Sequence, residues 1–258
     1  MYDPPGYLWA ITIAGMTTIP AATSVLLYAG AQRAGQGRAR AALLAAAAIV
    51  LGGWFTASAV IAQHGWYQWQ IGHGVPWLPV AVVGFLGTLL ALSQIPTVKR
   101  ALAVPGMASR LELPHTFRVF AGLAFLITMS LGHLPALLAV PAGLGDIATG
   151  IATPLVARKV AHGTGRRAGL WLNAFGFTDL VNALTLGALT GFQLVHVTPA
   201  ATAITELPLA LIPTVGVPLL LALHIINLRT LAKAPRTAMP VSAQPIADAE
   251  PRAAAIAS

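Results

Sequence analysis

The sequence predicts an all-α membrane protein, a bundle of seven transmembrane helices with its N-terminus outside and its C-terminus in the cytoplasm. Of the 258 residues, 57% are hydrophobic and only 9% are charged, whereas charged residues make up about 25% of soluble domains. The apolar residues form several long runs rather than the short alternating segments of a transmembrane barrel. Basic residues occur only in every second polar segment, which is the positive-inside pattern that indicates orientation.

The seven apolar runs are predicted to form one transmembrane domain, residues 1–232. The spans cover about 7–30, 41–63, 77–96, 116–133, 136–157, 169–190 and 204–228. The seventh contains Pro208, Pro213 and Pro218, and each proline removes a backbone donor, so we expect this helix to be kinked or locally unwound. Residues 233–258 are rich in Pro and Ala and predict a disordered cytoplasmic tail.

Individual residues mark the ends of several predicted spans. Trp9 would anchor the first span at the membrane interface, and the aromatic residues of the outer loop 64–77 predict a similar belt, with a ligand-binding lid as the alternative. The third span ends at Pro96. Arg118 lies one turn inside the fourth span, where we expect its guanidinium group to reach back to the headgroups. A buried ion pair with Asp146 is the alternative, but about 12–13 Å of depth would separate the two residues.

The basic residues explain the net charge of +8 without a nucleic-acid partner. Apart from Arg118 and Arg252, every Lys and Arg lies in one of four segments: 33–40, 99–110, 158–167 and 229–236. The polar segments between them contain no Lys or Arg: 1–7, 64–77, the turn near Pro135, and 190–203. We expect the basic loops to contact anionic lipid headgroups at the cytoplasmic face of the membrane. A homo-oligomer is a further association that the sequence allows.

Two acidic residues lie inside the predicted fifth and sixth spans. Asp146 comes 12 residues before Arg158, and Asp179 comes 12 residues after Arg167. At 1.5 Å per residue both lie about 18 Å from the same membrane face, close to the centre of a hydrocarbon layer about 30 Å thick. A carboxylate at this depth costs several kcal/mol, so it predicts a functional site.

Small and polar residues accompany each aspartate along one helix face, which would let the two helices approach closely and shield the acids from lipid. If the two faces meet, the carboxylates cannot both ionise cheaply, and one holds a proton or a cation lies between them. The side chains expected to bind a substrate or proton are Asp146, Asp179, Asn173, Asn182, Thr149, Thr153 and Glu206. A purely structural role is the main alternative, with Asp146 capping a restarted helix. A cation site is another.

The histidines suggest a competing hypothesis. His64, His73, His133 and His196 are all predicted to lie on the outer side, where they could bind zinc, copper or a haem. Their spacing contains no HxH or HxxxH pattern, so no cofactor is predicted, and a haem or metal ion stays an alternative. We expect the other three, His115, His162 and His224, on the cytoplasmic side, solvated or facing lipid. Cysteine is absent, which excludes thiolate metal sites and cysteine nucleophiles.

Sequence motifs of common enzymes are missing. There is no HExxH, GxSxG or GxxxxGK[ST] pattern. The three lysines, Lys99, Lys159 and Lys233, all lie in predicted loops or the tail, so no retinal Schiff base can form inside the bundle. These absences weaken enzymatic hypotheses without excluding them.

The stretches LPALLAVPAGLGDIATGIATPLVARK, WLNAFGFTDLVNALTLG and ELPLALIPTVGVPLLLALH resemble a family of uncharacterised bacterial multi-pass inner-membrane proteins. The resemblance implies a helical protein of the bacterial cytoplasmic membrane and implies no activity. The buried acids favour a small-solute or proton-coupled transporter. A membrane haem or metal protein that uses the outer histidines is one alternative. A non-catalytic accessory or sensor subunit, in which the acids only lock the bundle, is the other.

Overall fold

A computed structural model describes residues 3–68 and 74–233, and every regular element in these ranges is helical. The predicted tail after Lys233 lies outside the described residues, as do Trp69 and His73. The α-helices are α1 (Gly6–Arg33), α2 (Ala39–Gln63), α3 (Trp77–Leu92), α4 (Pro96–Leu102), α5 (Met107–Glu112), α6 (Arg118–Ser130), α7 (Ala136–Ala161), α8 (Arg166–Gly191) and α9 (Val217–Lys233). Short 3₁₀ turns cover Leu113–Phe117 and Ala201–Thr205, and a π-turn covers Ile212–Gly216.

Several helices are long and apolar enough to cross a bilayer. In the described part of the chain there are five such stretches: Gly6–Arg33, Ala39–Gln63, Met107–Ser130, Ala136–Ala161 and Ile212–Lys233. A sixth results if α3 and α4, which bend by 84° at their junction, form one broken span. These helices indicate a membrane protein. Helix α8 has the same length as α7 but is more polar, because Asn173, Asp179 and Asn182 lie along it. Seven spans and their orientation therefore stay predictions.

The fourth predicted span begins earlier than the sequence suggested. Helix α5, the turn Leu113–Phe117 and α6 form one continuous stretch of 24 residues. Pro114 lies in the first turn of the 3₁₀ segment, where its missing N–H removes little hydrogen bonding, so the chain stays helical through it. As a result Arg118 lies halfway along this stretch rather than one turn from its end.

The proline-rich segment before α9 is irregular, as its sequence predicts. The peptide bonds before Pro199 and Pro208 are cis, and a π-turn replaces α-helix around Pro213. The polar groups of this turn find partners on α2. Trp54 Nε1 donates to the Thr214 carbonyl at 2.8 Å, and the Ser58 hydroxyl lies 2.6 Å from the Thr214 hydroxyl. Unwound backbone is tolerated in a membrane only where protein or water satisfies it in this way.

The stretch Ile212–Lys233 is the most enclosed of the candidate spans. It packs against α1, α3, α5 and α8, and the side chains from Leu219 to Leu223 are all buried. Helix α2 is the least enclosed, and Ile49 on its outer face is 72% exposed. The apolar outside and the enclosed central helix are the arrangement expected of a bundle whose outer surface meets lipid.

Candidate functional site

Arg118 joins the two aspartates at the centre of the bundle. Its side chain is fully buried, and its Nε donates to Asp146 Oδ1 at 2.7 Å. Its Nη2 donates to Asp179 Oδ2, and Nη1 donates to the Gly176 carbonyl at 3.2 Å. The expectation that Arg118 reaches the headgroups is wrong, because the helical stretch extends back to Met107 and places Arg118 at the depth of the acids. This guanidinium group links α6, α7 and α8.

Glycines allow these charged groups to come together. A Cβ atom on Gly145 would overlap the Asp179 carboxylate. A Cβ on Gly176 would lie 2.6 Å from His224 Nε2 and 2.8 Å from Arg118 Nη1. Real Cβ contacts are longer than this, so a side chain at either position would push the charged groups apart. The small-residue faces of α7 and α8 therefore do more than bring backbones close, because they leave the space that the cluster occupies.

The cluster continues from Arg118 to α9 and back to α8. Nη1 of Arg118 lies 3.3 Å from His224 Nε2. Since arginine can only donate, Nε2 accepts, and the proton of the neutral imidazole is on Nδ1. Nδ1 lies 2.9 Å from Asn173 Oδ1, to which it donates. His224 is therefore held in one tautomer by a charged donor on one side and an amide oxygen on the other.

Glu112 ends this chain of hydrogen bonds. Asn173 Nδ2 donates to Glu112 Oε1 at 2.7 Å and also to the Gly169 carbonyl at 2.8 Å. A second amide, Asn227 Nδ2, donates to the same Glu112 oxygen at 2.9 Å. Glu112, Asn173 and Asn227 are each fully buried. The result is a continuous polar line from the aspartates through Arg118, His224 and Asn173 to Glu112.

His115 packs against this line. Its ring stacks on that of His224 with the centroids 3.8 Å apart and the planes 16° from parallel. Both rings are fully buried, so the expectation that these two histidines are solvated or face lipid is wrong; His162 alone of the three is exposed. Several buried polar atoms near this line have no hydrogen-bond partner among the described residues: both ring nitrogens of His115, Glu112 Oε2, Asn227 Oδ1 and Thr149 Oγ1.

A cavity of about 1060 Å³ reaches Asp146 from the other side of the cluster. Residues of α3, α8, the turn Ala201–Thr205 and the segment from Ile212 to Val217 line most of it. Most of its lining is apolar, for example Val82, Phe125, Leu138, Leu180, Ile212 and Val217. It opens at the surface, because the lining residues Val83, Thr185 and Ala188 are exposed. The cavity therefore connects the surface with a carboxyl group that is otherwise buried.

Gln68 and Glu206 form the polar rim of the cavity, and the buried Tyr67 also lines it. Gln68 Nε2 donates to Glu206 Oε1 at 3.0 Å. The Tyr67 hydroxyl lies 3.0 Å from that of Ser58, and burial raises the pKa of Tyr67 while its hydroxyl contacts lower it. Tyr67 is consequently neutral at physiological pH. Among the described lining residues, the acidic ones are Asp146 and Glu206, and none is Lys, Arg or His.

The predicted binding residues do not all come together. Asp146, Asp179 and Asn173 belong to the cluster, and Glu206 lies on the cavity rim. Thr149 and Thr153 are buried one and two turns along α7 from Asp146, and the Thr153 hydroxyl donates to the Thr149 carbonyl at 2.8 Å. Asn182 is exposed and does not join the cluster.

The ion pair of Arg118 with Asp146, the alternative in the sequence analysis, is the one that forms. Sequence reasoning placed His115 and His224 outside the cluster and missed Glu112 and Asn227. A signal for them exists in the spacing. Glu112, His115 and Arg118 follow one another at intervals of three, and so do His224 and Asn227. Polar residues at this interval on an apolar segment share one face of a helix, so each set predicts a polar face turned toward the protein interior.

The outer histidines remain apart from this cluster. His64, His133 and His196 are exposed and come from three different connections. Within residues 3–68 and 74–233, no group of three or more His, Cys, Asp or Glu side chains is arranged to hold a metal ion. His73 lies outside the described residues, so the four-histidine site stays a prediction.

Comparison with known proteins gives one match. The family model described as a domain of unknown function (DUF8737) matches residues 75–232, which is more than half of the chain. The matched region contains every residue of the cluster from Glu112 to Asn227. No curated protein and no solved structure matches the chain.

Proposed function

The chain belongs to the DUF8737 family, and we propose that it is a proton-coupled carrier of small solutes in a membrane. The observation that carries the proposal is the cavity that ends at Asp146, a member of a buried cluster in which two carboxyl groups share one guanidinium group. On the resemblance described above, the membrane is the bacterial cytoplasmic membrane.

The proposal includes seven spans, with α8 as one of them. Helix α8 has 26 residues, or about 39 Å of helix, which is enough to cross the hydrocarbon layer. Its Asp179 meets Arg118 halfway along the stretch Met107–Ser130, which supports a similar depth for both helices. With the basic turn between α7 and α8 in the cytoplasm, the rim at Glu206 faces outside and Glu112 lies toward the cytoplasm.

The charge balance of the cluster gives the proposed coupling. With both aspartates ionised, Arg118 balances only one of the two negative charges. An unbalanced charge in an apolar interior is costly, so a proton or another cation has to complete the cluster. Asp146 lines the cavity and can take up or release that proton. A solute that changes the protonation of Asp146 when it binds would couple its own movement to that of a proton.

Proton movement in proteoliposomes tests this function. The purified chain is reconstituted with a pH-sensitive dye trapped inside, and glucose, alanine, succinate and tetraphenylphosphonium are added separately. We expect at least one solute to move protons, and we expect Asp146→Asn to abolish this movement. Asp3→Asn is the matched control because Asp3 is exposed. Proton movement that survives the combined Asp146→Asn and Asp179→Asn changes, or its absence with all four solutes, contradicts the proposal.

The ion pairs of Arg118 also suit an accessory or sensor subunit, because they tie three helices together. In that case the double asparagine variant would lose stability or assembly, and the wild-type chain would move no protons with any solute. Proton movement by the wild-type chain separates the two functions, because the double asparagine variant leaves Arg118 buried without its ionic partners and loses stability in either case.

A further inference from the structure

The cavity has the wrong composition for an anionic or strongly polar solute. Its two described carboxyl groups, Asp146 and Glu206, lie at its inner end and on its rim, and no described Lys, Arg or His lines it. The surfaces between these two groups are apolar side chains of α3, α8 and the segment from Ile212 to Val217. A ligand that matches this surface has a positive charge and an apolar body.

Asp146 has an oxygen available for such a ligand. Its Oδ1 accepts from Arg118, whereas Oδ2 accepts no hydrogen bond from any residue that the structure describes. Because Arg118 is shared with Asp179, its single positive charge cannot balance both acids. A ligand cation next to Oδ2 would supply the missing charge, and so would a proton on that oxygen. The two would therefore exclude each other.

The size and opening of the cavity fit a compact organic ion. Its volume of about 1060 Å³ is just above the range for small-molecule sites, roughly 300–1,000 Å³, so it has room for a drug-sized ion. It opens between α3 and α8, where Val83 is 69% exposed. On the proposed topology this opening faces the hydrocarbon layer, where an apolar cation can enter and a hydrophilic one cannot.

We infer that the cavity binds organic monocations with an apolar body, and that Asp146 holds either this cation or a proton. The inference rests on the proposed function, since it names the class of solute that the carrier exchanges for protons. No covalent step is involved: one positive charge enters the cluster as one proton leaves Asp146 for water.

Binding of two probes of similar shape and opposite charge tests the inference. Tetraphenylphosphonium and tetraphenylborate are titrated into the full chain in detergent by calorimetry, in two buffers that differ in ionisation enthalpy, which counts the protons released. We expect tetraphenylphosphonium to bind at least about tenfold more tightly and to release close to one proton. Asp146→Asn should abolish proton release and weaken binding about tenfold or more, whereas Glu206→Gln should weaken binding and leave proton release intact.

Two further variants keep the test decisive. Asp3→Asn should behave as the wild-type chain, and Asp146→Glu, which keeps the negative charge, should keep the preference for the cation even if Asp146→Asn fails to fold. Equal binding of both probes, or unchanged binding of tetraphenylphosphonium to Asp146→Asn, overturns the inference and indicates an apolar groove that holds lipid or detergent. Selective binding of the cation without proton release overturns the proposed proton coupling and leaves the ligand class standing. Proton movement with only neutral or anionic solutes in liposomes overturns the ligand class and leaves the proposed proton coupling standing.

Discussion

Replacing Arg118 by methionine tests whether the cluster is held together by this one cation. The change keeps much of the side-chain volume and removes the donors to Asp146, Asp179 and the Gly176 carbonyl. It leaves two carboxyl groups buried without their partner. Breaking a buried ion pair in this way costs about 3–5 kcal/mol. For a chain of this size 1 kcal/mol shifts the midpoint of unfolding by about 2–4 °C, so we expect a loss of roughly 6–20 °C.

Adding Asp146→Asn and Asp179→Asn to Arg118→Met should restore most of the lost stability, because all three charges then disappear together and neutral groups of similar volume replace them. The measurement is thermal unfolding in detergent followed by circular dichroism. Arg158→Met is the control, since Arg158 is exposed and its loss should change the midpoint little. The reasoning is refuted if Arg118→Met has the same unfolding midpoint as the wild type, or if the triple variant unfolds at as low a temperature as Arg118→Met alone.

Two other changes address the space around the cluster and the rim of the cavity. Gly145→Ala would force the Asp179 carboxylate aside. We therefore expect a loss of about 1–3 kcal/mol of stability together with the loss of proton movement in liposomes. Gly87→Ala is the control, because Gly87 has open space around it, and it should alter neither. Burial raises the pKa of Tyr67 above its ordinary value, so folding favours the protonated phenol. The contribution of Tyr67 protonation to the free energy of unfolding is therefore complete below about pH 10 and is lost as the pH rises above that. Denaturant unfolding as a function of pH should therefore show a smaller alkaline loss for Tyr67→Phe than for the wild type, and an equal loss in both would contradict this account.

The common level of the two aspartates in the bundle could be predicted because it depends on local properties alone. Counting residues from the basic turn places Asp146 and Asp179 at one level, and both contact Arg118 in the fold. The same count failed for Arg118 because it started from the wrong residue. The predicted span begins at about residue 116, whereas the helical stretch continues back through Pro114 to Met107, since a proline in the first turn of a helical segment is compatible with a continuing helix.

Other parts of the cluster depend on which helices become neighbours. The stacking of His115 on His224 joins residues 109 positions apart in the chain, and it requires the turn Leu113–Phe117 to lie beside α9. Gly176 is the residue that lets His224 approach Arg118, but a glycine in an apolar helix predicts close packing without identifying the partner. Interval spacing predicts which residues share a helix face, and only the fold pairs one face with another.

The two sides of the cluster differ in access, and the lack of native cysteine allows this to be measured residue by residue. Ala183 lines the cavity, whereas Thr153 is fully buried on α7, on the other side of Asp146. A thiol at position 183 should react with N-ethylmaleimide, a small reagent that enters apolar surroundings, because the reagent enters the cavity. A thiol at position 153 should react at least about tenfold more slowly, since it must wait for a local opening. Single Ala183→Cys and Thr153→Cys variants, followed by mass spectrometry over time, give both rates without background labelling. Tetraphenylphosphonium should slow only the reaction at position 183, because the proposed ligand occupies the space that the maleimide crosses. Equal rates at the two positions would mean that the cavity is not the route to Asp146.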